Sequence, residues 1–482
     1  MKLKLILEEI QHDTAIKLIS DLIKNSEWKN KIFLAGGAVR DELMRMGIKD
    51  LDITVAAPNG GIEFAIWLAK KLKIYRKNTN PVIYPKFGTA KITLKGIKHN
   101  GIDLSSVDIE CVMTRKEKYK FGNRKPEVDY GTPEQDAERR DLTINSLLKD
   151  LTSGEILDLT GKGINDLNNK IIRTPLDPNI IFKEDPLRML RAIRFTVKYN
   201  WKLPLSMINA IKSNAKMLST ISSERIQEEL NKILLTNNPD KGIRLLQITG
   251  LSKYIMPELD YLIKLKQNDY HLWDANKHTL MVLKNTPNNL ITRLAALFHD
   301  IGKPQTKRII DNEVHFYQHE DISADIAKDI MTKLKYPNYI INSVYTIIKN
   351  HMRTKSFGKN AELVSDKTLR KLQNDLGDHL ENTLDLIHAD NISHGDDKWK
   401  HNLPNQIPSI RNRMKNLGGN FTKKLELPIN GNDILKLLKL KPGPVVGKLL
   451  KDLTDEYLEN PKMTKTDAIK LITTIYNNKY KI

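Results

Sequence analysis

Cysteine is almost absent: Cys111 stands alone in 482 residues. One thiol rules out an intramolecular disulfide and any zinc site built on cysteine pairs, and it fits a reducing compartment. Long apolar stretches are missing too. No run approaches the roughly 18 residues that mark a membrane-spanning helix, so no transmembrane helix is expected. The opening stretch carries Glu8 and Glu9 early and lacks the pattern of a secretory signal, so a cytoplasmic location is expected. Acids are in deficit, with 58 Asp and Glu against 78 Lys and Arg, a formal net charge of +20. Such an excess favours a polyanionic partner, because each neutralised phosphate releases a counterion. It does not select a function by itself, since Lys, Asn and Ile crowd every region of the chain. A hydrophobic content of 40% and a charged content of 28% describe an ordinary soluble protein, and the length implies about two to four domains.

Hydrophobic periodicity divides the chain. Residues 1–30 read as helix, with Ile16, Ile19 and Ile23 at helical spacing. Ile32-Phe33-Leu34-Ala35 is a short buried strand ended by Gly36-Gly37. Leu51-Asp52-Ile53-Thr54-Val55 alternates like a strand with one polar face. Residues 62–72 read as helix, and 89–94 and 107–113 as strands. Residues 1–150 thus form a mixed α/β domain. From about 180 onward strand signals nearly vanish and amphipathic helices take over, with loops at 285–289 and 403–408. The fold class is α+β.

The chemistry begins at Lys49-Asp50-Leu51-Asp52-Ile53. Residues two apart on a strand share a face, so two carboxylates lie side by side. Like charges repel unless a cation sits between them, so the pair suits divalent metal. Two such ions activate a 3′-hydroxyl and stabilise leaving pyrophosphate in an in-line displacement. A lone Asp-x-Asp is usually just a solvated strand face. Upstream, however, strand, Gly36-Gly37 and a helix start form a turn in which backbone N–H groups approach phosphate, and Arg40 is placed to meet a triphosphate. A third carboxylate must complete the metal set. Asp108 and Glu110 alternate on one strand and both qualify; Glu110 is favoured.

These residues resemble the bacterial-type (class II) tRNA CCA-adding enzymes and their poly(A) polymerase relatives, within the nucleotidyltransferase superfamily. FLAGGAVRD at 33–41 with KDLDIT at 49–54 resembles the first family motif. ERRDLTIN at 138–145 resembles the second, with Leu142 where Phe is usual. DLTG at 158–161 with IIR at 171–173 resembles the third, EDPLRMLRAIRF at 184–195 the fourth, and SERI at 223–226 with Glu228-Glu229 the fifth. The resemblance implies Mg²⁺ on Asp50 and Asp52, and nucleotide phosphates on Gly37 and Arg40. It implies nucleotide contacts from Arg140 and Asp141, and a protein template for the base at Asp185 and Arg188. A carboxylate beside a guanidinium satisfies the edges of cytosine and adenine and mismatches uracil and guanine. Local chemistry offers Asp185 another job, as helix cap before Pro186. Arg191 is placed to reach phosphate. Arg194 is counted with the nucleotide-binding residues, yet it falls nearly opposite Asp185 on the helix, where bracing a domain junction is its other role.

Ten of the twelve histidines lie between His271 and His401. Their centre is Leu297-Phe298-His299-Asp300-Ile301-Gly302-Lys303-Pro304, which resembles HD-type metal phosphohydrolases. His278, His299, Asp300 and Asp390 make a two-His, two-Asp metal set, which His319 and His351 extend to a second site. Imidazole and carboxylate suit Ni²⁺, Co²⁺ or Mn²⁺. The resemblance implies phosphatase or 2′,3′-cyclic phosphodiesterase activity; a degenerate HD fold without metal is the competing reading. Farther on, Lys441-Pro442-Gly443-Pro444 leads into a lysine-bearing helix that resembles the C-terminal segment of HD-bearing family members, against the alternative of a plain bundle hairpin.

The expected organisation is a palm at 1–150, a helical neck and body at 151–260, an HD domain at 261–402 and a helical arm at 403–482. All beyond the palm is read as helical. The expected activity is CCA addition to tRNA from CTP and ATP, with no membrane and no stable protein partner inferable. Poly(A) polymerase, CC-only or A-only addition, a stand-alone HD phosphohydrolase and a non-enzymatic RNA-binding protein are the rivals. The stretch Tyr84-Pro85-Lys86-Phe87-Gly88-Thr89-Ala90 looks like the CCA-adding type rather than the Gly-Arg-Arg-Phe segment of the polymerases, and intact Asp50 and Asp52 argue against a dead palm.

Overall fold

The computed structural model of the chain describes residues 2–480 apart from 49, 78, 86–87, 119–126, 268–270, 397–402 and 418–425. Lys49 of the first acidic motif, Lys86 and Phe87 of the palm segment, and His401 lie outside the described residues. The chain divides into two compact units, Met1–Ile255 and Met256–Ile482. Among the described residues no helix is long and apolar enough to cross a membrane.

The first unit opens with α1 (Lys2–Ile23), β1 (Ile32–Ala35), α2 (Gly37–Leu43), β2 (Leu51–Val55), α3 (Gly60–Lys71), β3 (Val82–Tyr84) and β4 (Thr89–Thr93). A small ribbon of β5 (Lys98–His99) and β6 (Ile102–Asp103) precedes β7 (Asp108–Met113). A second ribbon, β8 (Arg115–Lys118) with β9 (Glu127–Tyr130), precedes α4 (Pro133–Glu138), β10 (Leu148–Asp150) and β11 (Ile156–Leu157). Seven strands form one sheet in the order β11-β10-β1-β2-β7-β4-β3, with β2 and β7 parallel. One face is closed by α1 and α3. Ile19 and Ile23 of α1 and Phe64 and Leu68 of α3 are buried with Leu34, Ile53, Ile92 and Cys111. Alternation along β2 then turns Asp52 and Thr54 away from this core. Helices follow: α5 (Gly163–Asn168), α6 (Pro178–Glu184), α7 (Leu187–Tyr199), α8 (Leu205–Asn214), α9 (Ser223–Leu234) and α10 (Pro239–Thr249).

The second unit carries α11 (Ala275–Asn285), α12 (Leu290–Phe298), α13 (Lys303–Thr306), α14 (His319–Lys333), α15 (Asn338–Asn350), α16 (Asp366–Leu376), α17 (Leu380–Asn391), α18 (Gln406–Asn416), α19 (Gly431–Leu438), α20 (Pro444–Glu459) and α21 (Lys465–Lys479). Helix α18 begins inside the stretch expected as loop at 403–408. The last three helices close their own small core around Ile434, Leu449, Leu453 and Ile472. An expectation of helices alone beyond residue 150 misses the edge strand β11 of the first unit and a hairpin of the second: β12 (Lys307–Ile310) pairs antiparallel with β13 (Glu313–Phe316). Asp311 and Asn312 join them with φ of 51° and 62°, the left-handed pair that a two-residue hairpin turn demands.

Helix α3 lies very close to β7. A Cβ added at Gly61 would sit 2.4 Å from the Gly88 carbonyl oxygen and 2.6 Å from that of Cys111, both backbone atoms that cannot swing aside. Gly61→Ala should therefore destabilise the first unit by about 2–4 kcal/mol, as overpacking of a rigid contact does. Gly447, inside α20, faces open space, so Gly447→Ala should stabilise the second unit by about 0.5–1 kcal/mol through helix propensity. Thermal unfolding followed separately for the two variants checks both signs; a Gly61→Ala protein that melts like wild type would contradict the close approach of α3 to β7.

Candidate active site and metal centre

Parallel pairing of β2 with β7 sets Asp52 opposite Glu110, and Asp50 lies two residues before Asp52 on the same side. Burial, then the charge of Glu110, then that of Asp50 push the Asp52 carboxyl from its usual 3.8 up to about 6, against the pull of Arg140. The other candidate, Asp108, is engaged elsewhere. Its Oδ2 lies 2.6 Å from Lys91 Nζ and its Oδ1 accepts from Thr93 Oγ1 at 2.6 Å, contacts that hold its carboxyl below the usual range. The structure thus brings Glu110, not Asp108, to the Asp50–Asp52 pair.

These three carboxylates line a cavity of about 610 Å³ whose remaining wall is rich in arginine. The first glycine of the Gly36-Gly37 turn takes a φ of +64°, which only glycine adopts freely, and chain and cavity meet there. Arg40 lines the cavity but is buried, ion-paired to Asp41 at 2.7 Å and hydrogen-bonded to Asn145, with Phe195 and Tyr199 under its guanidinium. Three of its five N–H groups meet these protein partners, and the guanidinium still lines the cavity. Arg140 forks onto Asp136 at 2.8 and 3.1 Å and donates to the Asn145 carbonyl.

Asp141 is also engaged within the protein. It receives Arg191 at 2.6 Å, the Asn145 side chain at 2.9 Å and the Leu142 N–H. Burial alone would raise its carboxyl; Arg191 and Asn145 outweigh burial and hold it below the usual range. Asp185 caps the helix and also lines the cavity. One oxygen accepts the Leu187 N–H at the start of α7, and the other accepts from Arg225 at 2.9 Å while the residue faces the cavity. Arg188 pairs with Glu184 at 2.9 Å. Arg194 lines the cavity and lies 2.8 Å from Glu229 and over the Phe195 ring, so it braces α7 against α9. Sequence reasoning assigned no role to Arg225, Arg139 or Arg115, which also line the cavity. Arg139 and Arg225 lay inside motifs already quoted; nothing marked Arg115.

In the second unit, imidazoles converge on two aspartates. His278 Nε2 lies 2.9 Å from Asp390 and 3.7 Å from Asp300, and His299 Nε2 lies 3.2 Å from Asp300. His319 Nε2 lies 3.3 Å from the other Asp300 oxygen and 3.3 Å from His351 Nε2. The Nδ1 atoms of His299, His319 and His351 each lie within 2.9 Å of a backbone carbonyl. A carbonyl only accepts, so Nδ1 carries the proton in each ring and Nε2 is the nitrogen turned inward, free to serve a metal once deprotonated. The Nε2 atoms of His319 and His351 then face each other, and the buried His299 Nε2 and Asp300 Oδ2 make no hydrogen bond of normal geometry. A divalent cation answers each of these features. Its ligand groups are His278, His299 and Asp300, and Asp300, His319 and His351. Lys303, 2.7 Å from Asp300, and Lys355, 3.0 Å from Asp390, were not foreseen as members of this centre, nor were His271 and His394, whose rings pack together beside His278.

Residues 32–173 match the model of the poly A polymerase head domain, 203–263 that of the probable RNA and SrmB-binding site of polymerase A, and 269–383 that of the HD domain. The tRNA nucleotidyltransferase of Schizosaccharomyces pombe is 28% identical over 92% of this chain and 91% of its own length. The CCA-adding enzyme of Ligilactobacillus salivarius is 28% identical over 91% of each. Among solved structures, the Bacillus stearothermophilus CCA-adding enzyme in complex with CTP shares the fold, with a TM-score of 0.64 at 21% identity over 93% of this chain and 94% of that one.

The crowding of Asp52 has a sign. An acid whose folded value is raised is harmless below the unfolded value near 4 and becomes unfavourable as pH rises through about 6, so without metal the fold loses stability across that window. Asp52→Asn should remove the loss and raise metal-free stability at pH 8 by about 1–3 kcal/mol, with no gain at pH 4. Unfolding in a chelator at both values tests this; a variant no more stable than wild type at pH 8 would mean that Asp50 and Glu110 do not crowd Asp52.

Proposed function

The chain belongs to the family in which a poly(A) polymerase-type head, an RNA-binding helical segment and an HD domain follow one another, and on that premise we propose that it adds CCA to the 3′ end of tRNA from CTP and ATP. The observation that carries the reading is the convergence of Asp50, Asp52 and Glu110 on a cavity otherwise walled by arginine. Two Mg²⁺ ions held by these carboxylates would activate the RNA 3′-hydroxyl and neutralise the charge leaving with pyrophosphate. The backbone at Gly37 and the exposed edges of Arg140 and Arg191 hold the triphosphate, with Arg40 and Asp141 fixing that wall from behind. Asp185 and Arg188 read the base. A carboxylate oxygen accepts more than one hydrogen bond, so Asp185 takes the amino group of cytosine or adenine while keeping its contacts to Leu187 and Arg225. The functional division that follows is a palm at 1–150, neck and body at 151–260, HD domain at 261–402 and arm at 403–482.

Purified protein with tRNA lacking its CCA end should extend it by CC with CTP alone and by CCA with CTP and ATP. Asp50→Ala or Asp52→Ala should abolish both, a loss of several kcal/mol of transition-state stabilisation. Long adenosine tails from ATP alone would make the protein a poly(A) polymerase, and CC without the final A would make it a CC-adding enzyme.

For the HD centre we propose hydrolysis of phosphate esters at RNA ends, with Ni²⁺, Co²⁺ or Mn²⁺ as the metal. The support is the set of inward-facing Nε2 atoms beside Asp300. Asp300→Ala should eliminate turnover of a 2′,3′-cyclic nucleotide and leave CCA addition within about twofold, because the two ligand sets lie in different compact units. A wild type that hydrolyses nothing with any of the three metals would leave the HD fold without this activity.

A further inference from the structure

Asp50, Asp52 and Glu110 do not line one cavity only. A second, of about 560 Å³, opens on the same three carboxylates and is otherwise lined by Glu8, Gln11 and His12 of α1, and by Lys91, Ser106 and Asp108. Its character differs from the first. No arginine lines it among the described residues, and its lysine is ion-paired to Asp108 at 2.6 Å. A triphosphate would find no free guanidinium there. Neutral hydroxyls would find several acceptors.

In-line phosphoryl transfer requires the attacking oxygen to approach opposite the leaving group, with the metal-holding carboxylates spanning both. If the arginine-walled cavity takes the triphosphate, the attacking hydroxyl must arrive from elsewhere around the same carboxylates. The second cavity is such an approach, and its uncharged or acidic lining suits a sugar edge.

Helix α1 is fastened so that it presents a defined atom to this space. Gln11 donates to the Asp103 carbonyl at 2.6 Å and accepts from Ser106 at 3.3 Å, which ties the helix to the rim. His12 Nδ1 lies 2.7 Å from the Ile48 carbonyl oxygen, two residues before Asp50. A carbonyl only accepts, so Nδ1 carries the proton and Nε2 is the ring nitrogen left for a ligand in the cavity that His12 lines.

We propose that this second cavity receives the 3′-terminal nucleoside of the RNA being extended, and that His12 Nε2 accepts a hydrogen bond from its 2′-hydroxyl. The 2′-hydroxyl is the group by which a site tells RNA from DNA, and only an acceptor that water does not fully replace makes it count. His12 is thereby a specificity-determining residue for the acceptor strand and not for the incoming nucleotide. The inference rests on the nucleotide-adding reading of this same carboxylate site.

The test uses the full chain and two acceptors, tRNA lacking CCA with a ribose end and the same tRNA with a 2′-deoxyribose end that keeps its 3′-hydroxyl. Wild type should prefer the ribose end by roughly tenfold in kcat/KM. His12→Ala should lose about that factor on the ribose end only, chiefly in KM for tRNA, while KM for CTP stays as in wild type. His12→Asn, which keeps a side-chain acceptor, should recover part of the preference. If His12 merely braces the loop before Asp50, His12→Ala lowers both acceptors and CTP use together, and the proposal fails. It fails equally if wild type extends both ends alike, although CCA addition itself would then stand. A wild type that adds no nucleotide to either end overturns both readings at once.

Discussion

An ion pair between buried Asp141 and half-buried Arg191 joins two walls of the first cavity. Asp141 stands just after α4, on the sheet side, and Arg191 is one turn into α7, on the helical side. Arg40 continues the same seam by lying under Phe195 and Tyr199 of α7, whose hydroxyl reaches Asp41 at 3.4 Å. A buried carboxylate stripped of its guanidinium is destabilising by about 3–5 kcal/mol, so neither partner is dispensable. The orientation of α7 follows from this joint, and with it the placement of Asp185 and Arg188 relative to Asp50, Asp52 and Glu110. Asp185 and Arg188 are thus positioned against the three carboxylates by a contact that involves none of them.

The two metal-suited centres solve opposite electrostatic problems. In the first, acids crowd acids, and burial, Glu110 and Asp50 together raise the Asp52 carboxyl against the single pull of Arg140. Such a site favours hard cations that bring more than one positive charge. In the second, Asp300 and Asp390 are pushed up by burial but held well below the usual range by neighbouring cations and imidazoles, Lys303 and Lys355 included. Charge there is already balanced, and the open valence belongs to nitrogen lone pairs, which suit borderline metals. One chain therefore holds two candidate metal centres that differ in ligand softness.

Much of the sheet was legible because its strands are short, apolar and bounded by glycine or charge. The acidic pair was legible because a two-residue period fixes faces. Glu110 against Asp108 was not decidable from alternation, since both occupy the same face; the neighbouring strand β4 settles it by supplying Lys91 and Thr93 to Asp108. The β12–β13 hairpin was overlooked although Ile309-Ile310 and Val314-His315-Phe316 flank a two-residue Asp-Asn turn. The turn lacks the glycine that usually signals it, and histidine clustering drew the region toward helix. The burial of Arg40 was not legible because it depends on α7, some 150 residues later, which no local pattern encodes. The part of α1 in the second cavity was invisible for the same reason: His12 and Ile48 meet only in the folded chain.

The net charge of +20 proves a poor guide to how the first cavity binds. Arg40, Arg140, Arg188, Arg191 and Arg194 each face a carboxylate partner, in turn Asp41, Asp136, Glu184, Asp141 and Glu229. Much of the guanidinium charge in the wall is thereby matched, with Arg139 sharing Asp136 with Arg140. What it offers an incoming anion is fixed N–H edges whose orientation was settled on folding, so little side-chain entropy remains to be lost on binding. An unpaired arginine cluster would attract triphosphate more strongly over distance but would hold pyrophosphate nearly as well after reaction. Pairing each guanidinium shifts the wall from attraction by net charge to recognition by geometry, which an enzyme needs if it must release its product and accept a different base at the next addition.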